Sequence, residues 1–159
     1  MKEKGLKELK ENYALFQKKY TLPSFEKLNE DFQIEKIDFE TDFIIREIRK
    51  IISDKLVNYL KIVETLLHPT NVPFFVYSMV KVIGKNEKDN LNEFYKRLSM
   101  IQIELIKLDL IYNEKSEADF VKRAFNEWDS MKKQLHDLIS FIEKNIDKKT
   151  DNERRGYFG

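Results

Sequence analysis

Residues 72–83 read VPFFVYSMVKVI, and this stretch decides how the rest of the chain is interpreted. Ten of its twelve residues are apolar, and only Ser78 and Lys81 are polar. At about 100° per residue on a helical wheel, the apolar side chains point in every direction. Because such a helix has no side that favours water, the pattern predicts a short central helix wrapped by longer amphipathic helices.

The same stretch could also be a buried strand, because periodicity alone does not separate the two for a short apolar run. Its valines and aromatic residues favour a strand. The signals at its ends favour a helix, with Asn71 as an N-cap, Pro73 in the first turn and Gly84 as a stop. No other stretch is a convincing partner strand, so we interpret residues 72–83 as helical.

The segments on either side carry apolar residues at three- and four-residue spacing, which is the pattern of amphipathic helices. Thr41 and Ser116 are good N-cap residues for two of these predicted helices, and Pro69 ends the helix that begins after Thr41. The sequence therefore predicts an all-α, single-domain bundle of five or six helices. Besides 72–83, the predicted helices cover residues 5–20, 25–32, 42–67, 89–113 and 116–146, with an irregular connector at 33–40.

The length and composition fit this architecture. The chain has 159 residues, of which 42% are hydrophobic and 36% charged, and this is enough for one domain with its own core. The last twelve residues begin with a run of charged side chains that cannot bury enough apolar surface to order itself. We expect a helical bundle domain over residues 1–147 and a charged, flexible tail over residues 148–159.

Two features of the composition bear on localisation. The chain contains no cysteine, which excludes disulfides and thiolate sites and fits a reducing cytosol. Met1 is followed by charged residues rather than by an apolar signal segment, and no run of about 18 apolar residues occurs. We expect a cytoplasmic protein that does not enter a membrane.

The net charge of +1 is spread evenly along the chain. Residues 1–40 carry −1 and residues 41–84 carry +2, while residues 85–115 and 116–159 each balance to zero. A nucleic-acid-binding protein usually shows a basic block or a strongly basic isoelectric point. This balance makes a nucleic-acid partner unlikely.

The residues that carry enzyme and metal chemistry do not occur in the required patterns. A di-metal helical bundle needs Glu three residues before His on two helices. Here Glu64 lies four residues before His68, and no Glu lies three residues before His136. No motif for a nucleophile, a phosphate loop or a zinc protease is present. We therefore expect no metal, no cofactor and no catalytic residues, and the sequence leans against an enzyme without excluding one.

One polar stripe is the candidate polar site. Tyr95, Gln102 and Asp109 are spaced seven residues apart, so they lie along one side of the predicted helix, beside its apolar face. A carboxylate at such a position needs a partner, because an isolated buried charge is costly. The stripe is either a ligand pocket or a place where Asp109 pairs with a Lys, Arg or Tyr of a neighbouring helix, and the second interpretation is favoured.

The end of the chain is a candidate docking tail. Arg154 and Arg155 precede two adjacent aromatic residues, Tyr157 and Phe158. A solvated tail gains no stability from aromatic residues, so they could fill a pocket of a partner while the arginines meet acidic groups. Alternatively, the tail packs on its own domain or frays.

These features favour a non-enzymatic helical protein–protein interaction module, such as a subunit or adaptor of a cytosolic complex. A protein partner is expected, and a homo-oligomer is possible. The alternatives are a small-ligand or metal-binding helical bundle and a nucleic-acid-associated helical protein.

Overall fold

The computed structural model describes the backbone of residues 2–38 and 40–156, with the side chains of that part except residues 2, 3, 147 and 149–156. The described chain contains six α-helices, one short 3₁₀ helix at Ile34–Lys36 and no strand. This confirms the predicted all-α class and the number of helices. The helices are α1 Lys2–Tyr20, α2 Phe25–Phe32, α3 Ile44–Leu67, α4 Phe74–Val82, α5 Lys85–Leu110 and α6 Glu114–Gly156.

The ends of α2 illustrate how local sequence sets the helix boundaries. The hydroxyl of Ser24 accepts a hydrogen bond of 3.3 Å from the backbone N–H of Lys27, which satisfies one of the free donors at the start of the helix. At its other end Gln33 adopts a left-handed conformation with φ of 55°, and its N–H donates to the carbonyl of Asn29. These two caps limit α2 to eight residues.

The start of α6 differs from the prediction by a few residues. The predicted N-cap was Ser116, but the side-chain oxygen of Asn113 accepts a 2.9 Å hydrogen bond from the N–H of Ser116. Asn113 therefore caps the helix, which begins at Glu114. Asn and Ser are both favoured N-cap residues, so the sequence alone did not distinguish them.

The far end of α6 covers much of the segment for which we expect a flexible tail. The backbone is helical through Lys148 and onward to Gly156. Lys, Arg and Glu are good helix formers, which lets a charged segment continue a helix that is already formed. Where the folded domain ends stays a prediction, because the contacts of the last side chains lie outside the described residues.

The chain divides into two compact units, and the first consists of Met1–Leu56 and Gln102–Asp129. Its core contains aromatic pairs as well as aliphatic side chains. The Tyr13 and Phe25 rings meet edge to face at 5.8 Å, and the Phe32 and Trp128 rings lie 4.8 Å apart. The buried Tyr13 hydroxyl donates a 2.6 Å hydrogen bond to the carbonyl of Pro23. Aliphatic residues of the same core include Leu28, Ile48, Ile52, Leu105 and Val121.

The second unit consists of Val57–Ile101 and Ser130–Gly159. Its core is formed by the apolar stripes of the second half of α3, the first part of α5 and the middle of α6. The buried residues are Val63, Leu66, Ile83, Leu91, Phe94, Leu98, Met131, Leu135 and Ile142.

The placement of α4 corrects the prediction of a wrapped central helix. The segment is helical, but none of the residues Phe74–Val82 is buried. Phe74 is 82% exposed, Phe75 66% and Tyr77 48%. Only Ile83, directly after the helix, enters the core of the second unit. The apolar stripes of α3, α5 and α6 already supply that core, so α4 covers it with one side and leaves the other side in water.

Candidate functional site

A buried ion pair joins α3 and α6 in the first unit. The Nε atom of Arg49 donates a 2.7 Å hydrogen bond to Oε2 of Glu117, and the two residues are only 2% and 0% exposed. Burial by itself would lower the pKa of Arg49, but the hydrogen bonds with Glu117 and Asp109 raise the pKa above its ordinary value. The guanidinium therefore stays charged in the interior.

Asp109 is the second partner of Arg49. The Nη2 atom of Arg49 donates a 2.7 Å hydrogen bond to Oδ1 of Asp109, whose side chain is 60% exposed. Arg46 flanks the same cluster, with its Nε atom 3.9 Å from Oε1 of Glu117 and its guanidinium over the ring of Tyr112 at 5.5 Å. The cluster thus joins α3, α5 and α6 within the first unit.

The geometry of this cluster favours a structural role. Glu117 has no solvent-accessible surface, so a substrate cannot reach its carboxylate. The Oδ1 atom of Asp109 already accepts a hydrogen bond from the guanidinium of Arg49. Asp109 therefore has the partner that the structural interpretation of the polar stripe requires, an arginine from a neighbouring helix.

The other two residues of the polar stripe have different surroundings. Tyr95 belongs to the second unit, where its ring meets the ring of His68 edge to face at 6.5 Å. Gln102 belongs to the first unit and is half-buried, and its Oε1 atom has no hydrogen-bond partner among the described residues. The three residues thus have separate surroundings, and a ligand pocket along the stripe stays a prediction.

Sequence reasoning missed Arg49 and Glu117, although a signal was available for the arginine. Ile45, Ile52 and Leu56 are buried, and Arg49 lies at the matching position between them, four residues after the first and three before the second. A charged residue on an apolar stripe predicts a buried partner. The identity of that partner, 68 residues away along the chain, depends on the tertiary structure.

A second ionic contact joins α1 to the start of α6. Oε1 of Glu114 accepts hydrogen bonds from Lys19 Nζ at 2.8 Å and from the Tyr20 hydroxyl at 2.5 Å. These two hydrogen bonds lower the pKa of Glu114. Because the Lys19 side chain is mostly exposed, its ion pair with Glu114 contributes little to the stability of the unit and chiefly orients the ends of two helices.

The second unit carries an unusual apolar surface, the aromatic face of α4, which we define as Phe74, Phe75 and Tyr77. An aromatic side chain buries about 150–250 Å² when it is fully covered. Applied to the exposed fractions of these three residues, this corresponds to roughly 300–500 Å² of apolar area in water. The charged Nζ of Lys81 lies 5.0 Å from the centre of the Tyr77 ring. Patches of this size on a single chain are often binding sites.

The second unit also contains a groove of about 790 Å³ between α5 and α6, which we call the α5–α6 groove. Its apolar lining includes Leu91, Phe94, Met100, Leu138 and Phe141. Leu91 and Phe94 are buried, Leu138 and Phe141 are half-buried, and Met100 is exposed at the surface. The volume falls within the range of natural ligand and peptide pockets, about 300–1,000 Å³.

The candidate docking tail can be described only in part. The backbone of Arg154 and Arg155 belongs to α6, and their side chains are outside the described residues. Tyr157 and Phe158 lie outside the described residues altogether. Docking of the tail therefore stays a prediction.

No group of three or more His, Asp or Glu side chains within the described part of the chain could hold a metal ion. Every helix in that same part falls short of the length and apolar content that crossing a bilayer requires.

Comparisons with protein-family models, with curated proteins and with solved structures found no match for this chain. The proposals below therefore rest on the geometry and chemistry of its own residues.

Proposed function

We propose that this chain is a non-enzymatic helical module that binds another protein, as a subunit or adaptor of a cytosolic complex. The observation that carries the proposal is the aromatic face of α4. Phe74 and Phe75 expose most of their surface on one short helix, and Tyr77 exposes about half of its own. Isolated exposed apolar residues are common, but here three exposed aromatic residues lie within four positions of one short helix.

The chemistry of the face suits a protein partner. Aromatic residues, above all Tyr and Trp, are enriched at the centres of protein interfaces, because they bury a large area with few rotatable bonds. Ser78 donates its hydroxyl to the carbonyl of Phe74 in the preceding turn, so the helix needs no external hydrogen-bond partner there. A partner therefore has to supply apolar surface, with polar groups at the rim.

The proposal is tested by affinity capture with matched variants. Phe74→Ser combined with Phe75→Ser removes the centre of the face, and Leu15→Ser is the control, since Leu15 is 71% exposed on α1 in the first unit. We expect wild type and the control to retain one stoichiometric protein that the double variant loses. All three proteins should have the same melting temperature. If the double variant retains the same proteins as wild type, the aromatic face is not the binding surface.

A further inference from the structure

Independently of the aromatic face, we propose that the α5–α6 groove binds residues 154–158 of a second copy of this chain. The aromatic side chains of Tyr157 and Phe158 fill the apolar part of the groove. Arg154 and Arg155 pair with the acidic side chains at its rim. The chain is thereby a self-associating module, in which each groove receives a segment from another molecule.

The apolar side chains of the groove are partly exposed. Phe94 forms its buried base, while Leu138 and Phe141 are half-buried and Met100 is exposed beside them. Methionine adapts its shape to aromatic partners and makes favourable sulfur contacts with their rings. A segment with two neighbouring aromatic residues would cover the apolar area that this groove leaves in water.

The charges at the rim favour a basic occupant. Lys96 pairs with Glu93 at 2.8 Å. Arg97 donates a 2.6 Å hydrogen bond to the side-chain amide of Gln134, and its guanidinium lies 5.3 Å from the centre of the Phe94 ring. The remaining acids of the rim are Glu87, which has no Lys or Arg partner among the described residues, and Asp137.

The Oδ1 atom of Asp137 lies 3.6 Å from Nδ1 of His136 on its own helix, and among the described residues Asp137 has no Lys or Arg partner. The lining thus carries three acidic and two basic side chains, and this excess of acidic groups favours the arginines Arg154 and Arg155 of the occupant.

The length of α6 determines that the occupant comes from another molecule. The groove ends near Phe141, and α6 continues as a helix for fifteen more residues to Gly156. This places Gly156 about 22 Å further along the helix axis. The two following residues, Tyr157 and Phe158, extend by at most about 7 Å. They cannot return to the groove of their own chain, whereas a second copy can present them.

The binding step is tested with a fluorescent peptide of residues 150–159, TDNERRGYFG. The receptor is the full chain with Tyr157→Ala and Phe158→Ala, which leaves its own groove free. We expect saturable binding in an anisotropy titration, and at least about tenfold weaker binding of a peptide in which the same two residues are alanine. Because Arg154 and Arg155 contribute by charge, added salt should weaken binding of the intact peptide.

Two changes in the receptor, one in the groove and one beside it, test the binding surface. Met100→Arg in the receptor places a positive charge at an exposed position of the groove, and we expect it to abolish binding of the peptide. Ile139→Arg changes a residue of similar type that is 42% exposed on α6, next to the groove residue Leu138, and should leave binding unchanged. Equal binding of both peptides, or equal loss in both receptor variants, would overturn the proposal.

Self-association of the whole chain is measured by sedimentation velocity over a range of concentrations. We expect wild type to form dimers or larger species, and both Met100→Arg and the Tyr157→Ala/Phe158→Ala variant to remain monomeric. A mixture of these two variants should form a heterodimer, since one keeps an intact groove and the other an intact tail. A wild-type chain that is monomeric at all concentrations, or a mixture that shows no complex, contradicts the proposal.

Discussion

Arg49 is the residue on which the polar interior of the first unit depends. Arg49→Met removes the cation and leaves the carboxyl group of Glu117 buried without its hydrogen-bond donor, so we expect a loss of about 3–5 kcal/mol in the free energy of unfolding. Lys50→Met breaks the exposed Lys50–Glu47 pair and should cost less than about 1 kcal/mol. Denaturant titrations measure both. Combining Arg49→Met with Glu117→Leu should restore much of the stability, and a double variant no more stable than Arg49→Met would contradict this explanation.

Trp128 and Phe75 are both large aromatic residues of predicted helices, but they differ in burial. Trp128 is 2% exposed, and its truncation to alanine should cost about 3–5 kcal/mol. Phe75 lies mostly in water, so Phe75→Ala should change stability by no more than about 0.5 kcal/mol. Thermal unfolding of the two variants distinguishes them. A large loss from Phe75→Ala would show that α4 packs more tightly than its exposure indicates.

The hydrogen bonds of Glu114 make the stability of the folded protein depend on pH. Hydrogen bonds from Lys19 and Tyr20 lower its pKa below the ordinary 4.5, so the carboxylate binds protons less readily in the folded state than in the unfolded state. Its contribution is present above about pH 4.5 and is lost as the pH falls through the lower folded pKa. Glu114→Gln should therefore lower the melting temperature near neutral pH, with a difference from wild type that shrinks in acid. A difference that stays constant over this range would contradict the assignment.

Among the elements, α6 depends on its N-terminal cap. Asn113 accepts a hydrogen bond from Ser116, and Asn113→Ala leaves that donor unsatisfied, which should cost about 0.5–2 kcal/mol. Asn92→Ala is the matched change at an exposed position inside α5, where alanine has the higher helix propensity and should be neutral or slightly stabilising. Helix content and thermal stability, both from circular dichroism, measure the two effects. Equal losses at the two positions would show that Asn113 is not the cap.

At the scale of the whole molecule, the two units share three long helices, since α3, α5 and α6 each contribute residues to both. Trp128 is the single tryptophan and belongs to the first unit, so its fluorescence reports that unit, whereas far-ultraviolet circular dichroism reports all helices. We expect the two signals to change together on heating, because a shared helix transmits unfolding from one unit to the other. Separate transitions would show that the units unfold independently.

The sequence by itself determined the helical class and the approximate positions of the helices. These follow from local spacing and from caps. Periodicity also identifies which side of α3 and α6 faces inward, because each of these helices has a polar side. It failed for α4, whose residues are apolar on all sides and therefore carry no information about which neighbours exist to cover them.

Only the tertiary structure decided which distant residues meet. It pairs Arg49 with Glu117. It also brings together segments whose charges do not cancel within each unit: the first unit has 16 basic and 19 acidic residues, a net charge of −3, and the second has 13 basic and 9 acidic residues, a net charge of +4. It also leaves Phe74 and Phe75 in water and forms a groove from α5 and α6. The physical reason is that burial and pairing are properties of packed neighbours far apart in the chain, whereas helix formation depends on residues within a few positions of one another.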